Sequence, residues 1–131
     1  MSSFTRTADG DIYPMRFTTI VGISAEGRVL QAVAGSRPYG ISQVGARRVD
    51  YIDSTGRAAI AGEDLNIHGP PEKDVLLQIN GTVTRGDFLK PDATGMGITT
   101  TTQTDIVGAV AMVSGVAGQA ILVEVIAPMQ L

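Results

Sequence analysis

Thr94-Gly95-Met96-Gly97-Ile98 and Val107-Gly108-Ala109-Val110 decide the fold of this chain. A related pattern lies earlier in the chain, in Glu26-Gly27-Arg28-Val29 and Tyr39-Gly40-Ile41-Ser42. Each of these two segments precedes its counterpart by the same number of residues. Both patterns alternate turn glycines with β-branched or small apolar residues, which is typical of short strands joined by tight turns. The chain therefore contains one small β-unit twice.

A further pair of segments fixes the length of each unit. Gly62–Ile67 matches Gly118–Val123, but these two segments lie closer together in the chain than the first pair does. The first unit therefore carries about 12 extra residues, which we place in Ala46–Ala58. On this alignment the two units cover about residues 20–68 and 80–126.

The sequence predicts an all-β fold, either a small antiparallel β-barrel or a compact sandwich of about ten short strands. No segment has the apolar stripe at helical spacing that an α-helix needs. Most of the predicted core comes from aliphatic residues in the second half of the chain, namely Val75, Leu77, Ile79, Val107, Val110, Ile121, Val123 and Val125.

Residues 1–16 are predicted to form an extended N-terminal arm, followed by a single β domain over residues 17–131. Disordered tails seldom contain large apolar residues. This arm contains several, and we expect four of them to dock on the surface of the chain's own domain or of a partner: Phe4, Ile12, Tyr13 and Met15. Deletion of the arm is then expected to leave the fold intact.

Composition excludes several classes of function. The chain has 131 residues, enough for one domain with a core, and no cysteine, so disulfides and thiolate metal sites are excluded. Its net charge is −3, which argues against binding to nucleic acid because that requires a positive surface.

The sequence contains no apolar run long enough to span a membrane and no N-terminal signal region. We therefore expect no membrane partner, and we expect the protein to be made and used without export.

The residues that could carry chemistry lack partners. His68 is the only histidine, and a metal site would need further ligands. Asp9 and Asp11 lack the remaining ligands of a calcium loop, and Glu63 and Asp64 are adjacent on a strand, so they point to opposite faces. The sequence therefore predicts neither an enzyme nor a cofactor or metal site.

One further segment is a candidate for binding. Arg47 and Arg48 are the densest positive charge on the chain, and Tyr51 lies beside them. All three fall in the segment that the second unit lacks, so the β-unit does not require them. A protruding hairpin over Arg47–Asp53 could dock on an acidic protein surface; the alternative is a solvated loop.

The second unit resembles a known family. Gly86–Gly95 leads into Gly97-Ile98, then Ile106–Ala111, then Ala117–Val125. This order is similar to the recurring phrase of the small capsid decoration, or cement, proteins of tailed bacteriophages. The resemblance covers residues 80–126 well and the first unit more loosely.

The resemblance implies a β-barrel-like protein on the outer surface of the virion, assembled in the host cytoplasm. Such proteins typically act as homotrimers that clamp neighbouring subunits of the major capsid protein. The residues that we expect to contact the capsid are those of the arm and the hairpin: Phe4, Ile12, Tyr13, Met15, Arg47, Arg48 and Tyr51. The alternative function is a β-barrel ligand-binding module of a fibre or host-surface-binding protein.

Overall fold

The computed structural model describes residues 3–8, 10–20, 28–42, 62 and 64–131 of the chain. Over these residues the protein is all-β, with no helix. The strands are β1 (Ser3–Thr7), β2 (Thr18–Ile20), β3 (Val29–Gln31), β4 (Ile41–Ser42), β5 (Asp64–His68), β6 (Val75–Gln78), β7 (Phe88–Pro91), β8 (Gly97–Thr99), β9 (Ile106–Ala111) and β10 (Ala120–Gln130).

The strands form antiparallel sheets that pack as a compact sandwich rather than close into a barrel. One sheet has the order β6-β10-β9-β7-β8, and the others have the orders β1-β5-β4 and β2-β3. An antiparallel bridge between Phe17 and Ile41 joins the two smaller sheets. Their combined order is then β1-β5-β4-β2-β3, the same as the five-stranded sheet with each strand number raised by five. The predicted repeat is therefore present in the strand topology.

Backbone bridges and hydrogen bonds show which residues of the two units are equivalent. A parallel bridge joins Ala8 to Val29, and another joins Ile79 to Gly97. The Gly62 N–H donates to the Ala8 carbonyl at 2.8 Å, and the Gly118 N–H donates to the Ile79 carbonyl at 2.9 Å. Gly62 and Gly118 also share a left-handed backbone, with φ of 88° and 89°. Val29 is therefore equivalent to Gly97, and Gly62 to Gly118, as predicted. The predicted match of Ile41 with Ala109 is wrong by one residue, because Ile41 pairs with His68 whereas Val110 pairs with Glu124, the equivalent of His68.

The structure corrects the predicted boundaries of the units and of the arm. Ala8 is equivalent to Ile79, so the first unit begins with β1 and not near residue 20. β1 pairs antiparallel with β5 along its whole length, from Ser3 opposite His68 to Thr7 opposite Asp64. The described part of residues 1–16 is thus the first strand and turn of the first unit. Sequence alignment missed it because β1 and β6 share no residue identities.

Burial follows the two-residue period of the strands. β6 has buried Val75 and Leu77 and exposed Leu76, and β10 buries Ile121, Val123 and Val125. Seven of the eight predicted core residues are buried. The exception is Val110, which is half-buried. Its neighbours Ala109 and Ala111 point inward, so Val110 must point to the opposite face of the sheet.

Two apolar clusters hold the structure together. The larger cluster combines Phe17, Ala32 and Ile41 of the first unit with the inner face of the five-stranded sheet. The smaller cluster belongs to the first unit alone and contains Ala8, Ile12, Val29 and Ile67, with Tyr39 packed against it. The first unit therefore has a core of its own and also contributes to the main core.

Deletion of residues 1–16 is now expected to destabilise the protein, because it would remove β1 and two members of the smaller cluster. A finer test is Ile12→Ala, which should lower the free energy of unfolding by about 2–5 kcal/mol through loss of apolar burial and formation of a cavity. Chemical denaturation measures this change. The matched control is Val33→Ala, which removes an exposed aliphatic side chain and should change stability by less than about 0.5 kcal/mol. Equal stability of the two variants would contradict the assignment of Ile12 to the core.

Candidate functional site

Phe4 and Ile12, two of the predicted contact residues, belong to the body of the protein. Phe4 lies in β1, where its backbone pairs with that of Ile67. The Ile12 side chain has 0% exposure. This corrects the expectation for Ile12, because a fully buried side chain offers no surface to a capsid.

Tyr13 and Met15 lie in the turn between β1 and β2 and are half-buried. The Tyr13 N–H donates to Gln31 Oε1 at 2.9 Å, and the Arg16 guanidinium lies 5.5 Å from the centre of the Tyr13 ring. Met15 has a left-handed φ of 58°, and its N–H donates to the Ser42 carbonyl at 3.0 Å. These contacts hold the turn in place, and capsid contact through Tyr13 and Met15 stays a prediction.

Arg47, Arg48 and Tyr51, together with the Ala46–Ala58 insertion and the Arg47–Asp53 hairpin, lie outside the described residues. Their role in docking therefore also stays a prediction.

A polar network crosses the boundary between the two units. Arg16 donates from Nε to Gln78 Oε1 at 3.2 Å and from Nη1 to the Thr94 carbonyl at 2.9 Å. The Gln31 amide donates to the same carbonyl at 2.7 Å. Burial lowers the pKa of Arg16, although the nearby Asp92 carboxylate acts in the opposite direction. Because arginine titrates far above neutral pH, the guanidinium stays charged and fixes the units relative to each other.

Asp92 organises the turn that supplies the Thr94 carbonyl. Its Oδ1 accepts hydrogen bonds from the Thr94 N–H and hydroxyl and from the Met96 N–H, and its Oδ2 accepts one from Asn80 at 2.7 Å. Burial, the largest single influence, acts to raise the pKa of Asp92. The hydrogen bonds from Asn80, Thr94 and Met96 together outweigh it, so the pKa lies below its usual value.

A shallow cleft of about 110 Å³ lies beside β7 and β9. Lys90 and Asp105 on its wall form a salt bridge with an N–O distance of 2.7 Å. The hydrogen bond from Lys90, followed by the one from Thr100, lowers the pKa of Asp105. The remaining lining comes from Gly35, Ser36, Pro91, Thr104 and Ile106. The cleft is below the size of typical ligand pockets, and its two charged groups neutralise each other.

No candidate metal site is found in the part of the chain that the structure describes. There, His68 pairs with Glu72 at 2.7 Å, and no three His, Asp or Glu residues come together as metal ligands. Among the same residues, no helix is long and apolar enough to cross a membrane.

The surface that sequence analysis missed is the outer face of the five-stranded sheet. Leu76 is 43% exposed and Phe88 is 36% exposed, and Val110, Met112 and Leu122 between them are half-buried. Leu76 pairs with Leu122, and Phe88 pairs with Val110, so these side chains share one face. The sequence of β6 could have revealed this face. Side chains of a strand point alternately to its two faces, so Leu76, between the predicted core residues Val75 and Leu77, is an apolar residue on the outer face.

Comparison with known proteins supports the fold. No protein-family model matches the chain, and no curated protein sequence matches it significantly. Among solved structures, the N base of the head fibre gp8.5 of bacteriophage phi29 is similar, with a TM-score of 0.68 and 15% sequence identity. The similarity covers 98% of this chain and 96% of that one. At this identity, the likeness shows a shared fold over essentially the whole chain.

The Asp92 network predicts a pH dependence of stability. A carboxyl whose pKa is lower in the folded than in the unfolded state stabilises the fold above its unfolded pKa of about 4. This contribution is lost as the pH falls through the folded pKa. Asp92→Asn should therefore reduce stability at pH 7, by about 1–3 kcal/mol, because the new amide group faces the Asn80 amide donor.

Asp92→Asn should also flatten the decline in stability below pH 4, which denaturation at several pH values measures. Asp74→Asn is the control, since it removes the same charge from an exposed residue whose left-handed backbone suits asparagine. If both variants follow the wild-type pH profile, the network does not contribute as described.

Proposed function

We propose that this protein is a structural component of a bacteriophage virion. In this proposal it binds the outer surface of the capsid as a homotrimer and stabilises contacts between major capsid protein subunits. The observation that carries the proposal is the fold shared with the phi29 head-fibre N base over 98% of the chain. The resemblance of residues 80–126 to capsid decoration proteins supports it independently.

The physical properties of the described residues suit such a role. A capsid-binding protein needs no reactive group, and its surface must instead complement sites that recur many times on a shell. Many weak contacts then add through avidity when the protein is a trimer. The five-stranded sheet offers an exposed apolar face, and the chain's negative charge would keep it from nucleic acid during assembly in the cytoplasm.

A second candidate is the base of a fibre that projects from the capsid. The similar solved structure is named as the base of a head fibre, which favours this candidate. A decoration protein would occupy many sites and strengthen the shell. A fibre base would serve mainly as an anchor for further chain and would not need to strengthen the shell.

Binding to shells tests both candidates. Shells of the major capsid protein, prepared without this protein, are mixed with the purified chain and sedimented, with a heat-unfolded sample as the control. For a decoration protein we expect saturable binding at many sites per shell and a rise in the temperature at which the shell disassembles. Saturable binding with no change in that temperature would favour the fibre base. No binding would contradict both.

The Arg47–Asp53 hairpin gives a second prediction. If Arg47 and Arg48 dock on an acidic capsid surface, the double variant Arg47→Glu with Arg48→Glu should slow association with shells, and added salt should reduce the wild-type rate. Arg37→Glu with Lys73→Glu is the matched control, because it makes the same charge change at two exposed positions. Equal rates for both double variants at every ionic strength would contradict the docking role.

A further inference from the structure

Asn80 and Gly81 follow β6 at the surface of the second unit. Asn80 is exposed, and its side-chain amide donates from Nδ2 to Asp92 Oδ2 at 2.7 Å. Its backbone N–H donates to the Gly97 carbonyl at 3.0 Å, which holds the main chain of Asn80 in place. The backbone of Asn80 is therefore fixed, while its side-chain nitrogen is restrained by a single hydrogen bond among the described residues.

The backbone nitrogen of Gly81 is open to reaction. No group of the described residues accepts a hydrogen bond from the Gly81 N–H. A Cβ placed on Gly81 would lie in open space, with no atom of the described residues within 4 Å. Gly81 also does not have the left-handed backbone that Gly86 and Gly95 have. Neither packing nor backbone conformation therefore requires glycine at this position.

An asparagine that precedes glycine can convert its own side chain. The Gly81 nitrogen attacks Asn80 Cγ, the bond from Cγ to Nδ2 breaks, and Nδ2 leaves as ammonia with the proton of the Gly81 nitrogen. Water then opens either carbonyl of the resulting succinimide ring and leaves aspartate or isoaspartate. No electrons are transferred, and water is the only co-reactant. Glycine favours this attack because it gives the attacking backbone the greatest conformational freedom.

We infer that Asn80-Gly81 is a self-modification site, at which the chain deamidates through a succinimide and so weakens the boundary between its two units. The other asparagine of the chain, Asn66, lies inside β5 and precedes Ile67, whose β-branched side chain hinders the same attack. The arrangement thus directs the reaction to Asn80. The inference does not depend on the proposed function.

The negative charge of the product is what weakens the boundary. Either product puts a carboxylate where the Asn80 amide now donates to Asp92. Two carboxylates at this distance repel each other, and Asp92 loses a hydrogen-bond donor. Asp92 also holds the turn that presents the Thr94 carbonyl. Arg16 and Gln31 of the first unit both donate to that carbonyl, so the change at Asn80 reaches the contact between the units.

Mass spectrometry of the incubated full-length protein tests the reaction. Wild type is held at mildly alkaline pH, digested at acid pH, and its peptides that contain Asn80 and Asn66 are compared. We expect Asn80 to be lost progressively, with aspartate and isoaspartate both appearing and an equal amount of ammonia released, while Asn66 persists. Gly81→Ala should slow this conversion about fivefold or more, because alanine restricts the attacking backbone. The open surroundings of Gly81 allow this variant to fold.

Asn80→Asp tests the structural consequence without ageing. Thermal unfolding should show this variant to be less stable than wild type at neutral pH. The difference should shrink as the pH falls below about 4, where a protonated carboxyl can again donate a hydrogen bond to Asp92. Asn66→Asp is the matched control, since it makes the same change at the other asparagine, away from Asp92. Circular dichroism checks that each variant folds.

Three results would each overturn the inference. The first is that Asn80 keeps its amide in the folded wild type throughout the incubation. The second is that Gly81→Ala converts as fast as the wild type. The third is that Asn80→Asp is as stable as Asn66→Asp at neutral pH. None of these measurements involves shells, so their failure would leave the proposed function unaffected.

Discussion

The Arg16-Phe17 segment is the constraint on which the rest of the structure depends. The Phe17 N–H donates to the Gly95 carbonyl at 2.8 Å, and its carbonyl accepts from Ala32 at 2.9 Å. The first bond ties the first unit to a turn of the second, and the other bond holds Phe17 within the first unit. Gly95 must be glycine, because it has a φ of 80° and a Cβ there would lie 3.1–3.2 Å from the Ala32 and Phe17 carbonyl oxygens. This close approach, together with the Arg16 and Gln31 hydrogen bonds to the Thr94 carbonyl, holds the two units against each other.

The two units use one topology with different side chains. Where the first unit has Ala8 opposite Val29, the second has Ile79 opposite Gly97. The large and small residues are exchanged between the strands, and a Cβ at Gly97 would meet Leu77 Cδ2 at 2.6 Å. Close-packed interiors require such compensation, since total volume must be conserved where backbones approach. Duplication therefore preserved the strand order while the packing of each core diverged.

This divergence also separates a covered face from an open one. The first unit presents Phe17 to the interior of the protein, and the second presents Phe88 to solvent. A chain of two units always leaves one such face without an internal partner. Proteins that assemble on a repeating shell can use a face of this kind, because association between chains then needs no added domain.

Much of the fold could be predicted from residue patterns. The correspondence of Val29 with Gly97 and of Gly62 with Gly118, the all-β class and most core positions follow from turn glycines and from alternation, which are local properties of a strand. Val110 was wrongly predicted to be buried because β9 is apolar along its whole length, so its sequence does not show which residues alternate between the two faces. Residues 1–16 were wrongly predicted to be an arm because β1 and β6 are equivalent in their backbone pairing but not in their residues.

The sequence by itself determined the repeated β-unit and its turns, because both depend on residues close together in the chain. Only the tertiary structure decided that Ile12 is core, that Arg16 and Asp92 serve the boundary between the units, and that Phe17 is covered while Phe88 is open. These outcomes depend on which unit packs over which face. That choice is made by contacts between residues far apart in the chain, as between Arg16 and Thr94, whose separation is 78, and no local pattern records it.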